Sequence, residues 1–316
     1  MSANWSDVQR AATKKAHDAE VSALRQQLDH AIAQIERLEK TKQAKIIAAT
    51  PIRKRGAGDI VRVIIPDTHG AKADRAAIAA MLADIKALDP QEIILLGDHV
   101  DCGGHLAQHH VMGYVAETSY SYEDDIAAAN AFLDSLRAAA PSAKIEYIEG
   151  NHERRVETWC ITQTLRHSKD AEGLRKLYAP EFRLFLEQRG IRYYRESEYY
   201  DGLTIPGVIK RGKCYFFHGI STAKNATAKT VEQLAGNCVF GHTHRGESTV
   251  VRKLGSGVIG SWNPGCLCEL QPLWQHTNPT TWTHGYGIQL AHDNDFLHLN
   301  IPVIDGKSLF GALVKL

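Results

Sequence analysis

No stretch of the 316-residue chain approaches the roughly 20 consecutive apolar residues that a membrane helix requires, so no membrane partner is expected. The opening residues Met1-Ser2-Ala3-Asn4-Trp5-Ser6-Asp7 hold no apolar core and no cleavage site, which argues against a secretory leader and makes the cytoplasm the expected compartment. A surplus of charge is missing too. Lys and Arg number 37, Asp and Glu 36, and the formal net charge is +1. The field of the whole molecule therefore does not argue for nucleic acid or a membrane surface as partner. None of the six cysteines belongs to a CxxC pair, which disfavours a zinc ribbon. Without a leader they are expected reduced, and several, such as Cys214 and Cys238 in apolar runs, are expected buried as small hydrophobes. With 44% hydrophobic and 23% charged residues, wholesale disorder is excluded. Histidine, by contrast, is plentiful: 16, against 11 Tyr, 8 Phe and 3 Met. Imidazole in this quantity points to metal binding or acid–base work.

Gly and Pro are absent from residues 1–45, where Val21, Leu24, Leu28, Ala31, Ile35 and Leu38 recur alternately three and four apart. That spacing predicts a helix with a coiled-coil heptad seam and a homo-oligomer joined through residues 18–42. A solvated helix without a partner is the alternative. Lys40, Lys42, Lys45, Arg53, Lys54 and Arg55 then surround Pro51, ahead of Gly56 and Gly58. A basic linker over 46–59 is expected, solvated or touching phosphates. Residues 60–316 form the remaining domain.

Short apolar runs at 61–65, 92–96, 145–148, 214–217, 238–240 and 257–259 read as strands. Helical spacing relates Ile78, Met81, Leu82, Ile85 and Leu88, and again Ile126, Phe132, Leu133 and Leu136. Residues 154–189 look mostly helical. The part from Tyr193 onward looks strand-rich, with a hairpin turn at Arg211-Gly212-Lys213. Strand alternating with helix predicts an α/β core.

A polar signature follows each of five strands. They are Asp67-Thr68-His69, Gly97-Asp98-His99-Val100-Asp101, Gly150-Asn151-His152-Glu153, His218-Gly219 and Gly241-His242-Thr243-His244. Ligand sites of α/β sheets lie beyond the carboxyl ends of strands, so five such loops can converge on one place. Carboxylate, amide oxygen and imidazole donors suit first-row divalent metals such as Mn, Fe, Zn, Co or Ni. Seven donors suffice for two ions sharing a carboxylate.

On these motifs the chain resembles the calcineurin-like metallophosphoesterase family, over about residues 60–265. The resemblance implies a four-layer α/β/β/α sandwich and two divalent metal ions, with manganese favoured. It implies that Asp67, His69 and His244 bind the first ion, that Asn151, His218 and His242 bind the second, and that Asp98 bridges both. It further implies that His152 is a catalytic histidine facing the scissile phosphate, held by Asp101. Ser261-Trp262-Asn263-Pro264-Gly265 is similar to the NPG turn that follows the last metal motif. The implied reaction is hydrolysis of a phosphoester by metal-activated water.

The protein Ser/Thr phosphatase branch carries arginines where this chain has Cys102 and Glu149, and it ends its metal set with one histidine rather than two. A phosphodiesterase acting on a nucleotide or nucleic acid is therefore the first expectation. A phosphomonoesterase or protein phosphatase is the second, and a metal-binding assembly scaffold the third. Arg154 and Arg155, just past the third motif, are candidates for the missing phosphate grip. Substrate selection is expected from residues 103–122 with His105, His109, His110 and Tyr114, from the 154–189 insert, from Tyr193 to Asp201, and from residues 274–286 with Trp274, Trp282, His284 and Tyr286. Aromatics there would stack on a base or serve as packing.

Overall fold

The computed structural model describes residues 21, 22, 26, 59–102, 121–167, 171–255, 257–272, 279–308 and 310–313. The chain divides into two units, Met1–Ile46 and Ile47–Leu316. In the first, Val21, Ser22 and Gln26 are helical. The rest of the heptad seam, the linker up to residue 58, and His105, His109, His110, Tyr114, Trp274 and His276 lie outside the described residues.

In the second unit the described elements begin with β1 (Asp59–Ile65), a 3-10 turn (Gly70–Lys72), α1 (Arg75–Leu88), β2 (Glu92–Leu95), α2 (Tyr122–Ala139) and β3 (Lys144–Ile148). They continue with α3 (Asn151–His167), α4 (Ala171–Tyr178), α5 (Pro180–Arg183), β4 (Arg192–Tyr194), β5 (Ile209–Arg211) and β6 (Cys214–Phe217). The last are α6 (Ala226–Leu234), β7 (Asn237–Phe240), β8 (Gly246–Lys253), β9 (Gly257–Pro264), β10 (Gly285–His292), β11 (Asp295–Ile304), β12 (Lys307–Ser308) and α7 (Phe310–Leu313).

The strands form a seven-stranded sheet in the order β12-β11-β10-β1-β2-β3-β4 and a five-stranded sheet in the order β5-β6-β7-β9-β8. β1 to β4 run parallel, as do β6, β7 and β9. Alternation along the strands explains why two sheets and two helical layers pack together. Side chains point to opposite faces at each step. Val63, Ile65, Ile93, Leu95, Ile145 and Tyr147 face Met81 and Ile85 of α1 and Ile126 and Leu133 of α2. The residues between them, Ile64, Ile94 and Ile148, meet Ile209, Phe216 and Val239 of the second sheet. On that sheet's far side Phe217, Cys238 and Phe240 pack with Ala226 of α6. Three apolar seams thus separate four layers, α/β/β/α. Strands buried on both faces read as continuous apolar runs, which is why they stand out in the sequence.

Local chemistry sets the element ends. The Asp74 carboxylate caps α1 by accepting the Ala77 N–H at 2.8 Å. Ser121 caps α2, whose first turn carries Glu123, Asp124 and Asp125. Gly212, at φ 55°, makes the tight β5–β6 hairpin in which Arg211 pairs with Cys214. Residues 154–189 are largely helical, supplied by α3, α4 and α5, and the Ser261–Gly265 turn begins inside β9. No described helix is long and apolar enough to cross a membrane.

Candidate metal centre

All five polar loops leave the carboxyl ends of strands: β1, β2 and β3 of the first sheet, β6 and β7 of the second. Because the sheets pack face to face, the loops meet at one edge of the sandwich. Among the motif residues His69 (φ 53°), Asp98 (φ 53°), His242 (φ 69°) and His244 (φ 58°) have left-handed backbones, as does Cys102 (φ 54°) just after the second motif. Each such conformation costs roughly 1–3 kcal/mol and persists only where its surroundings hold it. Here the His69 N–H donates to the Asp98 carbonyl at 2.9 Å. The Asp98 N–H donates to Glu153 Oε2 at 2.9 Å. The His242 N–H donates to both Asp67 carboxylate oxygens at 3.0 Å. Two glycines make room: a Cβ on Gly150 would strike the Asp98 carboxylate, and one on Gly241 the Asp67 carboxylate.

The loops assemble two adjoining groups of donors. In the first, His244 Nε2 lies 3.0 Å from Asp67 Oδ2 and 3.2 Å from His69 Nε2. In the second, His218 Nε2 lies 2.9 Å from Asn151 Oδ1, 3.1 Å from His242 Nδ1 and 3.2 Å from Asp98 Oδ2. Asp98 belongs to two clusters able to hold an ion, one with His69 and His152 and one with His218 and His242. All seven residues expected as donors are therefore in one place. Apart from Asn151 and His242, which are partly exposed, each is less than a tenth exposed.

The tautomers make this arrangement unusual. The Leu96 carbonyl can only accept, so the His218 Nδ1–H donates to it at 2.9 Å. In the neutral ring that leaves the Nε2 lone pair facing the oxygen lone pairs of Asn151 and Asp98, with His242 Nδ1 beside them. His69 likewise donates Nδ1–H to Asp101 Oδ1 at 3.0 Å and turns bare Nε2 toward His244. Buried lone pairs that face one another call for a cation between them. Without a metal, protons partly fill that need. Burial alone would lower His218, yet Asp98 and Asp67 raise it to about 10. Burial opposes charging His69 as well, but Asp101, Asp98 and Asp67 raise it to about 9. Asp98 is held well below the usual carboxylate range, against the cost of burial, by His218 and His152. His244 Nδ1 is buried with no hydrogen-bond partner among the described residues. The donor set thus fits two divalent cations.

His152 stands beside both groups, its Nε2 3.7 Å from Asp98 Oδ2. Asp101 holds it differently from the expectation. The His152 Nδ1–H donates to the Asp101 backbone carbonyl at 2.6 Å, while the Asp101 carboxylate bonds His69 and lies 3.8 Å from His152 Nδ1. Burial, reinforced by His69 and Arg155 and opposed by Asp98 and Asp101, lowers His152 to about 4 and keeps it neutral. The two arginines part ways. Arg154 is exposed and ion-paired with Glu196, whereas half-buried Arg155 acts on His152 through its charge.

Several residues have roles at the site that their motifs or segments did not assign. Glu153, 1% exposed, accepts the N–H groups of Asp98, His99 and Gly150 and the Tyr147 hydroxyl. It staples the second loop to the third, and its place in the Gly-Asn-His-Glu motif was the available signal. Asn263 donates to the Gly241 carbonyl at 2.6 Å and to Thr243 Oγ1 at 2.9 Å, bracing the last loop. Trp282 packs edge-on to His244 with ring centroids 4.1 Å apart. Cys268 joins His69 and His244 in a third cluster able to hold a metal. Tyr286, in contrast, is core: it is fully buried and its hydroxyl donates to Asp84 at 2.6 Å.

A sequence profile described as calcineurin-like phosphoesterase matches residues 61–272, about two thirds of the chain. The chain belongs to the calcineurin-like phosphoesterase family. As a calcineurin-like phosphoesterase it is a metallophosphoesterase, a hydrolase of phosphoric esters. No curated protein matches it. Among solved structures, a single mutant of Vps29 from Entamoeba histolytica is 15% identical, with 79% of this chain and 96% of that one covered and a TM-score of 0.39. Vps29 from Cryptosporidium parvum is 14% identical, covering 80% and 95%, with a TM-score of 0.39. The phosphoesterase Yfce from E. coli is 15% identical, covering 76% and 99%, with a TM-score of 0.32. These likenesses are distant, and membership of the phosphoesterase family rests on the profile.

Proposed function

We propose that this phosphoesterase is a dinuclear phosphodiesterase acting on a nucleotide or nucleic acid, with Asp67, His69 and His244 holding one cation, Asn151, His218 and His242 the other, and Asp98 both. The observation that carries the reading is the opposition of His218 Nε2 to two oxygen acceptors, of Asn151 and Asp98, within 3.2 Å. Manganese is favoured by the oxygen and imidazole donors of the set. When bound, the two cations would neutralise the phosphoester's charge and supply an activated water. The chain's own part is positioning and proton handling. The hydrogen bond from His152 Nδ1 to the Asp101 carbonyl fixes the ring and leaves Nε2 free toward the site. An arriving phosphoester adds negative charge beside that ring and raises its proton affinity. Nε2, having taken a proton from solvent in that complex, would hand it to the leaving oxygen.

A diester is favoured over a monoester by Glu149. Where the protein phosphatase branch has an arginine, this chain has a carboxylate, 3% exposed, accepting the Glu196 N–H at 2.9 Å and the Tyr193 hydroxyl at 3.2 Å. Burial raises the Glu149 carboxyl to about 7, so what the position lacks is the arginine's positive charge, which a singly charged diester needs less than a dianionic monoester. Trp282, packed against His244, is a surface on which a base could stack. Residues 1–45 serve self-association through 18–42, and 46–59 link them to the catalytic residues 60–316. The test is turnover of bis(p-nitrophenyl) phosphate against p-nitrophenyl phosphate with Mn²⁺. Faster cleavage of the diester supports the reading, and preference for the monoester overturns it.

A further inference from the structure

The segment after β9 runs extended between two parts of the site. The Leu267 N–H donates to the Asp67 carbonyl at 2.8 Å, and the Asp74 N–H donates to the Leu267 carbonyl at 2.9 Å. On its other side the Cys266 N–H donates to the Thr283 carbonyl at 3.0 Å, and the Gly285 N–H to the Cys266 carbonyl at 3.1 Å. His284 Nε2–H donates to the Cys268 carbonyl at 2.8 Å. Alternation in an extended chain sends Leu267 one way and both thiols the other. Leu267 enters the helix-side core. Cys268, 2% exposed, lies against the donors instead.

The donor atoms of His69, His244 and Cys268 all lie within 4.8 Å of one another. Donors on a single ion with bonds of roughly 2.0–2.3 Å lie closer than this upper bound, so a small inward shift of side chains would bring the three onto one ion. A void of about 20 Å³ opens there, lined by His69, Asp101, His244, Cys268 and Trp282 among others. It has room for one water-sized occupant. The same two imidazoles face each other through Nε2, with Asp67 Oδ2 3.0 Å from His244 Nε2, and His244 Nδ1 is buried without a hydrogen-bond partner among the described residues.

We infer that Cys268 supplies a thiolate donor to the first cation position, alongside Asp67, His69 and His244, and makes that position thiophilic. The inference rests on the dinuclear reading proposed above. It assigns zinc or iron(II) to the first position and leaves manganese to the second, whose donors are only nitrogen and oxygen. Binding replaces the S–H bond of Cys268 by a sulfur–metal bond and releases the proton to solvent.

The test is the full chain stripped of metal and reloaded with cobalt(II). A near-ultraviolet thiolate-to-cobalt charge-transfer band is expected in the wild type, lost in Cys268→Ser and kept in Cys266→Ser. Competition dialysis should show the preference for zinc over manganese falling by at least about tenfold in Cys268→Ser, the scale on which removing even an outer partner weakens a metal site. Two bound cobalt ions without the band overturn the role of Cys268 and leave the dinuclear reading standing. No bound cobalt overturns both. A band that disappears in Cys266→Ser but survives in Cys268→Ser overturns the assignment in favour of the neighbouring thiol. The wild-type and Cys266→Ser spectra decide the matter even where Cys268→Ser fails to fold.

Discussion

Between the two sheets, Arg62 pairs with Glu92, Glu92 accepts from Arg211 at 2.7 Å, and Arg211 also pairs with Glu146. Every charge in this network has an opposite neighbour. At the carboxyl ends of the same strands the neighbours are of like kind: imidazole nitrogen faces imidazole nitrogen at 3.1 and 3.2 Å, and carboxylates stand among them. Both clusters are buried, and both place carboxylates on the same parallel strands or the loops that follow them. The difference lies in what completes them. The ion network is complete within the chain and ties the sheets together. The loop cluster leaves facing donors that added cations would complete, so its polar residues suit binding more than cohesion. Burial of charge alone therefore does not mark a site; unmatched donors do.

The largest expected effect of breaking this contrast is at Asp98, which belongs to both donor clusters. Asp98→Ala should lose bound metal and with it all turnover above background, as read by metal analysis and ester hydrolysis on one sample. His152→Ala should keep its metal and lose roughly 10²–10⁴ in turnover, the range of a general acid or base. Equal metal content in the two variants would contradict this division of roles. Arg62→Met strikes the other cluster. It leaves Glu92 with Arg211 alone, so the stability loss should be near the lower end of the range for breaking a buried pair, about 3 kcal/mol. Denaturant unfolding measures it, and metal content should not change.

The two clusters should also answer pH in opposite directions. In the metal-free protein His69 and His218 are raised to about 9 and about 10. Their contribution to stability is fully present below the ordinary imidazole value of about 6.5 and is lost as pH rises through about 9 to about 10. Glu92 is lowered, despite burial, by Arg62 and Arg211. Its contribution is present above the ordinary carboxylate value and is lost as pH falls through its depressed one. Melting temperatures of metal-free protein should therefore decline on the alkaline side in wild type and Arg62→Met alike. The decline on the acid side should be shallower in Arg62→Met. Added metal should remove the alkaline decline, because the cation replaces the protons.

Much of this was legible in the sequence, for identifiable reasons. Strands apolar on both faces announce themselves, and polar loops at their ends place Asp67, Asp98, Asn151, His218 and His242 without knowledge of packing. The ion network was not legible, because Arg62, Glu92 and Glu146 sit within strands and their pairing depends on how the second sheet lies over the first. Cys268 was hidden for a related reason. CxxC spacing is the usual sign of paired thiol ligands, whereas Cys266-Leu267-Cys268 in an extended segment puts two thiols on one face. The placement of the Asp101 carboxylate on His69, with only its carbonyl on His152, depends on loop geometry that no motif encodes.

If the facing donors hold two cations, the stoichiometry of metal binding will show it. The metal-free chain titrated with Co²⁺ in a calorimeter, with metal analysis after gel filtration, should bind two ions, and turnover should rise as they bind. Fewer than two ions in the wild type, or full turnover of the metal-free protein, would rule the two-cation reading out.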